Sequence, residues 1–333
     1  MNTPHPPRPL DAGMRLVGPG AGGLALVAIL PLALGLQDHL VYLATMAALL
    51  ALLAQSWNLP AQAGLISFGH AAFFGVGAYA SALLSLRAHA SPWLGLLVAA
   101  GAAALVGWLA ARIAGDLPGP AFSLATLALA EGLRVIALHW TGLTEGAWGL
   151  VGIPGLPWPA LTGAWSPRGA RILDYYAAAA SVWVLCLILA WIRRRPFGLA
   201  LEAIRQAEGR AEALGVNTRQ VKRAALILSA AFAGVAGGLH AHLFRWVDPA
   251  SVFGVHHSVV PLIMAMFGGT GTLLGPVAGA AALYLANELV FHRLAPGAHL
   301  WLYGAAIVVV VVALPRGIFG YLQARLERRH EPV

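Results

Sequence analysis

Long apolar runs separated by short polar stretches dominate this chain. We trace ten of them, at about residues 16–36, 40–57, 68–86, 93–114, 120–140, 173–192, 224–246, 252–268, 273–291 and 299–314. A helix needs about 20 apolar residues to cross a bilayer, and continuous apolar runs are not the alternating pattern of a transmembrane β-barrel. The pattern predicts an all-α, polytopic membrane bundle of about ten spanning helices. The two shortest runs, 252–268 and 299–314, are candidates for tilted, broken or re-entrant elements.

The composition indicates the same class of protein. Hydrophobic residues make up 59% of the 333 and charged residues only 10%, with a mean hydropathy of +0.75. A soluble domain carries about 25% charged residues, so this chain could not cover a soluble surface. An ordinary soluble enzyme and a disordered chain are therefore excluded. The single cysteine, Cys186, excludes an internal disulfide and a multi-cysteine metal site.

The basic residues predict the orientation. With the N-terminus inside and ten crossings, the inner side receives all but six of the 21 Lys and Arg residues, the six being Arg87, Arg134, Arg168, Arg171, Arg245 and Arg293. Because basic residues accumulate on the cytoplasmic side, both termini are predicted to be cytoplasmic. We expect a tail at 1–15, a transmembrane domain at 16–316 and a basic tail at 317–333. The net charge of +8 is then explained by basic residues on the cytoplasmic side of the membrane, and no nucleic-acid partner is predicted.

Two loops are long enough to carry structure of their own. The outer loop, about 141–172, is rich in Gly, Pro and Trp and predicts an irregular cap. The inner loop, about 193–223, is strongly basic and contains apolar residues at spacings of three and seven, Leu201, Ile204, Ala211 and Leu214. This stripe predicts a short amphipathic helix that ends near Gly215. Its apolar face needs a partner, which is either the membrane surface or another protein.

Sequence motifs for hydrolysis are missing. The only lysine, Lys222, is followed by Arg223, so the chain has no phosphate-binding P-loop, and it has neither an HExxH nor a GxSxG motif. The pairs His240/His242 and His256/His257 lack neighbouring carboxylates or cysteines, so we expect polar contacts and no metal site. The sequence therefore favours a protein that provides a transport path or serves as a scaffold over one that catalyses a reaction.

Glycines recur at spacings that allow helices to approach closely. Gly271, Gly275 and Gly279 are predicted on one helix face, Gly234 and Gly238 repeat the spacing, and Gly69, Gly75 and Gly77 form a third cluster. Small residues spaced by four let helix backbones touch. The pattern fits plain bundle packing and also fits the lining of a narrow path.

Two segments interrupt the apolar pattern with polar and helix-breaking residues, 58–70 and 267–272. Broken backbone is tolerated at membrane depth only where protein buries it or water reaches it, and paired interruptions in two halves are typical of transporter sites. Glu131 and Arg134 lie three residues apart in an apolar run, where charges are costly. They either pair with each other or leave Glu131 facing a path.

Several of these residues match one known family. The stretch Ala63-Gly64 … Ser67-Phe68-Gly69-His70-Ala71-Ala72-Phe73-Phe74-Gly75-Val76-Gly77-Ala78-Tyr79 resembles the "AGQxSxGHAAFFGxGAY" signature of branched-chain amino-acid ABC transporter permeases of the LivM type. Ala125-Thr126-Leu127 with Glu131 is similar to the family's "TLAxxE" helix, and Gly149-Leu150 with Gly152-Ile153-Pro154 to its "GLxGIP". The cytoplasmic "FGRALRAIR…AEALG" of the family is matched by Phe197-Gly198 and Ala203-Ile204-Arg205, followed by Ala211-Glu212-Ala213-Leu214-Gly215. Gly268-Gly269-Thr270-Gly271-Thr272 with Gly275-Pro276 resembles "GGxGTxxGP". The blocks run in family order, although Leu65 replaces the usual Gln.

The resemblance implies a transport subunit that is not itself an enzyme. Its inner-loop helix, about 199–215, would be a coupling helix that docks on a cytoplasmic ATPase. The expected contact residues are Leu201, Glu202, Ile204, Arg205, Glu208, Ala211, Glu212, Leu214 and Gly215. The expected path residues are Ser67, Gly69, His70, Glu131, Thr270 and Thr272. ATP and Mg are expected on separate partner ATPases, with no cofactor in this chain.

The implied assembly contains a homologous second permease, two ATPases and a periplasmic binding protein, in the lipid of a bacterial inner membrane. The implied cargo is a branched-chain or other hydrophobic amino acid. Urea or short amides stay open as alternative cargo. A self-contained secondary transporter and a scaffold without transport stay open as alternative functions.

Overall fold

A computed structural model of the chain describes residues 37–158 and 167–291, together with residues 304 and 317. Helices dominate the described part. They are α1 Asp38–Gln62, α2 His70–Arg87, α3 Pro92–Ile113, α4 Gly119–His139, α5 Thr141–Thr144, α6 Pro167–Arg193, α7 Pro196–Gln206, α8 Glu208–Ala213, α9 Thr218–Phe244, α10 Pro249–Val252, α11 His256–Gly268 and α12 Gly275–Ala286. A π-helical turn, Asn287–Phe291, continues α12.

Six segments of the described residues are long and apolar enough to cross a membrane. They are α1, α3, α4, α9, residues 169–193 of α6, and the combined segment Pro249–Gly268 that contains α10 and α11. The all-α, multi-pass class predicted from the sequence is confirmed at this level. The predicted number of ten and the predicted location of the termini are not confirmed; the run 16–36, most of the run 299–314 and nearly all of both terminal tails lie outside the described residues. The runs 68–86 and 273–291 correspond to α2 and α12, which pack within the bundle.

Helices α2, α3 and α9 form the tightest part of the core. A Cβ atom at Gly77 of α2 would overlap the backbone of Gly234 in α9, and one at Gly234 would lie 2.5 Å from the Ala103 Cβ of α3. Gly238 packs against Leu96 of α3. Backbones this close leave no room for side chains, so van der Waals contact holds the three helices together.

Other glycines pack similarly, with one difference from the sequence-based expectation. Gly75 faces the Phe253 ring, and Gly275 and Gly279 of α12 face Gly268 of α11. Gly271 is not on the same helix face, because α12 begins only at Gly275. Gly271 lies in the preceding loop with a φ of +80°, a conformation that side chains rarely adopt.

Two groups of charged side chains lie at opposite ends of the bundle. At one end, Asp116 pairs with Arg219 and Arg223 at 3.1 and 3.2 Å. At the other end, Arg87 Nη2 donates to the Gly142 carbonyl at 2.8 Å, and Arg171 pairs with Asp38. The first end also carries α7 and α8; we call it the inner end, because the distribution of basic residues predicts that it faces the cytoplasm.

The outer connection after α4 has more order than the predicted irregular cap. It contains α5, a 3₁₀ turn at Gly146–Trp148 and strand β1, Leu150–Val151. β1 pairs antiparallel with β2, Trp246–Val247, placing Leu150 opposite Val247. α6 begins at Pro167, so the connection ends before residue 172. The strand pair ties the connection to the end of α9.

Candidate translocation core and coupling surface

The chain breaks its helical path between α1 and α2. α1 ends at Gln62, Gly64 adopts a φ of +77°, and α2 begins only at His70. Ser67 and His70 are completely buried. The predicted interruption is therefore a real non-helical segment, residues 63–69, which we call the break segment. Ser67 is buried within it, whereas Gly64, Ile66 and Phe68 are exposed.

Side chains from α1 and α4 satisfy the backbone of the break segment. Trp57 Nε1 donates to the Ser67 carbonyl at 2.8 Å, and Ser123 Oγ donates to the Ile66 carbonyl at 2.6 Å. The Phe68 N–H donates to Thr126 Oγ1 at 3.2 Å. A Cβ at Gly69 would overlap the Thr126 carbonyl, so α4 touches the segment directly. Within a membrane these bonds replace the helical bonds that the break removes.

A buried polar cluster joins four helices beside the break. Ser56 Oγ and His70 Nε2 are 3.0 Å apart, and Ser229 Oγ donates to the Ser56 carbonyl at 2.7 Å. The Ala71 N–H donates to Ser258 Oγ at 2.9 Å. All four side chains, Ser56, His70, Ser229 and Ser258, are at most 1% exposed. The cluster fixes the start of α2 against α1, α9 and α11.

The second predicted interruption lies against the first. Between α11 and α12 the chain forms a glycine-rich loop, residues 269–274. Asn58 Oδ1 accepts from the Gly271 N–H at 2.8 Å, and Asn58 Nδ2 donates to the Thr272 carbonyl at 3.1 Å. Gln55 Nε2 donates to the Leu273 carbonyl at 2.9 Å. The inner half of α1 therefore holds the loop in place.

The same loop is reached from the inner side by two arginines. Arg193, the last residue of α6, donates from Nη2 to the Gly271 carbonyl at 2.7 Å. The Arg205 guanidinium of α7 packs on Gly271, where an added Cβ would lie 2.6 Å from Nη1. Contacts thus run without a gap from α7 through Gly271 to Asn58 and α1. We call this route the Gly271 relay.

The predicted path residues fall into separate places. Ser67, Gly69 and His70 lie together at the break, whereas Thr270 and Thr272 belong to the glycine-rich loop. Thr272 Oγ1 accepts from the Gly275 N–H at 3.0 Å and donates to the Gly269 carbonyl at 2.8 Å, so it caps α12. Thr270 is exposed.

Glu131 lies on α4, farther along that helix than Thr126, and Arg134 pairs with it. Arg134 Nε donates to both carboxylate oxygens at 2.9 and 3.0 Å. Isolated charges at the centre of a spanning helix cost about 2.5–3.5 kcal/mol each on insertion scales, so mutual pairing is the expected arrangement. The pair is nevertheless exposed, with 51% of the Glu131 side chain accessible.

The inner loop differs from the predicted continuous helix. Ala207 is extended, with φ −165° and ψ 106°, and separates α7 from α8. Leu201, Ile204 and Ala211 are at most 5% exposed and pack within the chain, while Leu214 is 83% exposed. The expectation that the whole stripe faces a partner is therefore wrong for its first three residues, because the bundle itself covers them. The exposed inner tip consists of residues 208–210 and 212–215.

Acidic residues of this region are engaged within the chain. Glu202 accepts from Arg205 at 2.7 and 3.1 Å, Glu208 pairs with Lys222, and Glu212 accepts from Thr218 Oγ1 at 2.7 Å. Burial raises the pKa of the Glu202 carboxyl, but the hydrogen bonds and positive charges around it prevail and hold that pKa below its usual range. Glu202 is thus ionised at neutral pH and fixes Arg205 beside Gly271.

Sequence reasoning missed the residues that join these parts. Gln55, Asn58 and Arg193 were not predicted as site residues, yet they hold the glycine-rich loop. The available signal was the pair of amide side chains three residues apart at the end of an apolar run, since buried amides need partners. The predicted histidine pairs make packing and polar contacts. His242 Nε2 lies 2.8 Å from Ser81 Oγ, and His240 lies against Phe244 and Phe74.

Comparisons with known proteins agree with this architecture. A family model described as "Branched-chain amino acid transport system / permease component" matches residues 39–312. The high-affinity branched-chain amino acid transport system permease protein LivM is 29% identical to this chain in Escherichia coli K12 and in Salmonella typhimurium, over 80% and 79% of this chain. The permease protein LivH of Salmonella typhimurium is 28% identical over 77% of this chain and 86% of its own length.

A more distant relative belongs to a different transport system. The autoinducer 2 import system permease protein LsrC of Photorhabdus laumondii is 26% identical over 82% of this chain and 78% of its own length. The present chain spans 66% of the length of the two LivM proteins, slightly less than two thirds. No solved structure matches it. Because the family model covers most of the sequence and the apolar helices match a multi-pass membrane protein, the chain belongs to the family of branched-chain amino acid transport system permease components.

Proposed function

We propose that this chain is the permease subunit of an ATP-driven ABC importer for branched-chain or other hydrophobic amino acids. Two separate cytoplasmic ATPases bind ATP and Mg, a homologous second permease completes the membrane unit, and a periplasmic binding protein delivers the cargo across a bacterial inner membrane. The chain's own part is to provide a path and to convert movement of its inner surface into opening and closing.

The observation that carries this proposal is the Gly271 relay. α7 lies on the inner side and reaches the glycine-rich loop through Arg205, while Arg193 and Asn58 hold the same loop from α6 and α1. α1 in turn carries Trp57 and Ser56, which bond the break segment and His70. A push on α7 therefore has a packed, hydrogen-bonded route to the point where the spanning helix is broken.

Alternating access at broken helices gives this route a mechanistic meaning. Broken helices are where transporters place substrate sites, and rigid parts rock around them. In the proposed cycle, closure of the ATPases moves the inner tip, the relay shifts the end of α1, and the break segment changes its exposure. Ser67, Gly69 and His70 would then border the path, with Thr270 and Thr272 at its inner end.

Reconstitution tests the proposal directly. Proteoliposomes containing this chain, the second permease, the ATPases and the binding protein should accumulate radiolabelled leucine only when ATP is present on the ATPase side. Uptake by this chain alone along an ion gradient would instead establish a secondary transporter. Uptake of urea, or of autoinducer 2 as in the name of LsrC, in place of leucine would show that the transporter carries a different cargo.

Leu214→Asp should weaken the attachment of the ATPases. The side chain is 83% exposed at the inner tip, so the change removes apolar contact area without disturbing the core. We expect ATPase co-purification to fall by about tenfold or more, with normal membrane insertion. The control is Val151→Asp, which alters an apolar side chain of 66% exposure at the opposite end of the bundle. Unchanged co-purification of the Leu214 variant would remove the inner tip from the docking surface.

A further inference from the structure

The exposed side of α4 differs from that of every other spanning helix in the described part of the chain. Only 28% of its most apolar stretch is buried, the lowest share among the six candidate spans. Its exposed residues recur at helical spacing along one stripe, Leu124, Ala128, Glu131, Val135 and His139. We call this stripe the α4 face.

Helix α3 shows what a lipid-facing surface looks like in this protein. Its exposed side chains are large and apolar, Leu94, Leu97, Leu105, Trp108 and Leu109. Such a surface is suited to hydrocarbon. The α4 face also carries apolar side chains, among them Leu124 and Val135, but it differs in holding the Glu131–Arg134 ion pair near the middle of the helix.

The ion pair lies deep in the span. Glu131 is twelve residues beyond Gly119, the first residue of α4, which corresponds to about 18 Å along a helix. That depth is well inside a hydrocarbon layer about 30 Å thick. Ionised side chains at this depth almost always face a bundle interior or water. Because the described chain leaves half of Glu131 accessible, the cover must come from outside it.

The inner end of the α4 face continues into a groove of about 500 Å³. Ile66, Phe68, Gly119, Pro120, Ser123 and Leu124 line it. Ile66 and Phe68 belong to the break segment and are 46% and 36% exposed. The α4 face and the break segment therefore form one continuous surface, and whatever covers α4 also closes over the break.

We propose that the α4 face and this groove are the surface on which a homologous second permease packs, with the Glu131–Arg134 pair buried in the seam. The proposal rests on the proposed function. A permease fits better than lipid because the seam holds the Glu131–Arg134 charges, which hydrocarbon would leave without polar surroundings. A second, distinct permease fits better than another copy because Salmonella typhimurium has LivM and LivH as separate permease proteins of high-affinity branched-chain transport, and this chain resembles both.

Site-directed photocrosslinking tests the seam. Cys186 is the chain's only cysteine and is buried, so Cys186→Ala provides a background for single cysteines. Ala128→Cys and, as the matched control, Leu105→Cys would each be labelled with a benzophenone maleimide before the second permease is added and the complete transporter is reconstituted into membranes. After photolysis, the crosslinked chains are identified by mass spectrometry, and ATP-dependent leucine uptake is measured in the same membranes.

The Ala128 probe should crosslink to a second chain of the permease family at least about five times more efficiently than the Leu105 probe. Equal yields, or an Ala128 adduct made only of lipid, would overturn the seam. An adduct containing two copies of this chain would overturn the choice of a distinct partner. Normal leucine uptake without an Ala128 crosslink would contradict the proposed seam and support the proposed function. An Ala128 crosslink to a second permease without leucine uptake would support the seam and contradict the proposed function.

Discussion

Gly77→Leu should prevent the bundle from forming. The glycine lies where α2 touches the backbone of Gly234 in α9, and even a single added carbon would overlap it. Overpacking a tight core by a few methylenes costs about 1–3 kcal/mol or more, and here the obstacle is main chain that cannot rotate away. We expect almost no monodisperse protein in detergent and a large fall in the thermal midpoint of whatever remains.

The control for this variant is Gly101→Leu. Gly101 is an exposed glycine of α3, and an added Cβ there meets nothing within 4 Å. The same substitution should therefore be tolerated, and it improves helix propensity by about 1 kcal/mol. Fluorescence-detected size-exclusion and a thermal ramp on both variants provide the comparison. If the two variants melted together, the close approach of α2 and α9 would be wrong.

Arg193→Ala should separate ATP hydrolysis from transport. Its guanidinium bonds the Gly271 carbonyl at the centre of the relay. Hydrogen bonds to charged groups contribute about 1.5–3 kcal/mol, and losing this one frees the glycine-rich loop from α6. In the reconstituted transporter we expect the ATPases to stay bound and active while leucine uptake falls at least about tenfold.

Arg194→Ala provides the matched control, since the neighbouring arginine is exposed at the same inner end. It removes the same charge and should leave uptake within about twofold of the unmodified protein. Equal losses in both variants would point to general charge at the inner surface. Normal uptake by the Arg193 variant would remove Arg193 from the relay.

The sequence predicts the helical class well and the local contacts poorly. The length of the apolar runs alone locates α1, α3, α4 and α9, because a backbone in lipid must satisfy its hydrogen bonds internally and an open chain can do so only as a helix. The two interruptions are visible as clusters of polar and helix-breaking residues. Their contact through Asn58 is not visible, since it joins positions more than 200 residues apart along the chain. No local pattern encodes such a pairing.

The inner loop shows a second limit of periodicity. A stripe of apolar residues predicts which side chains seek cover and does not say what covers them. Leu201 and Ile204 are covered by the chain itself. The extended Ala207 ends the helix that carries them, so the helical repeat does not continue unbroken to Leu214. The same spacing was therefore compatible with an external partner and with internal packing, and only the three-dimensional arrangement separates the two.

The central claim is that the state of the ATPases reaches the break segment through the Gly271 relay. It is tested most directly by the labelling rate of Ile66→Cys with a water-soluble maleimide, in the Cys186→Ala background, on complete transporters in nanodiscs. Ile66 is 46% exposed in this chain alone and lines the groove beside the break, so its labelling rate reports how far the assembled transporter leaves the break segment open to water. ATP with vanadate should change the rate several-fold relative to the nucleotide-free state, and adding Arg193→Ala should abolish that change. An identical rate in both nucleotide states of the unmodified relay would contradict the account.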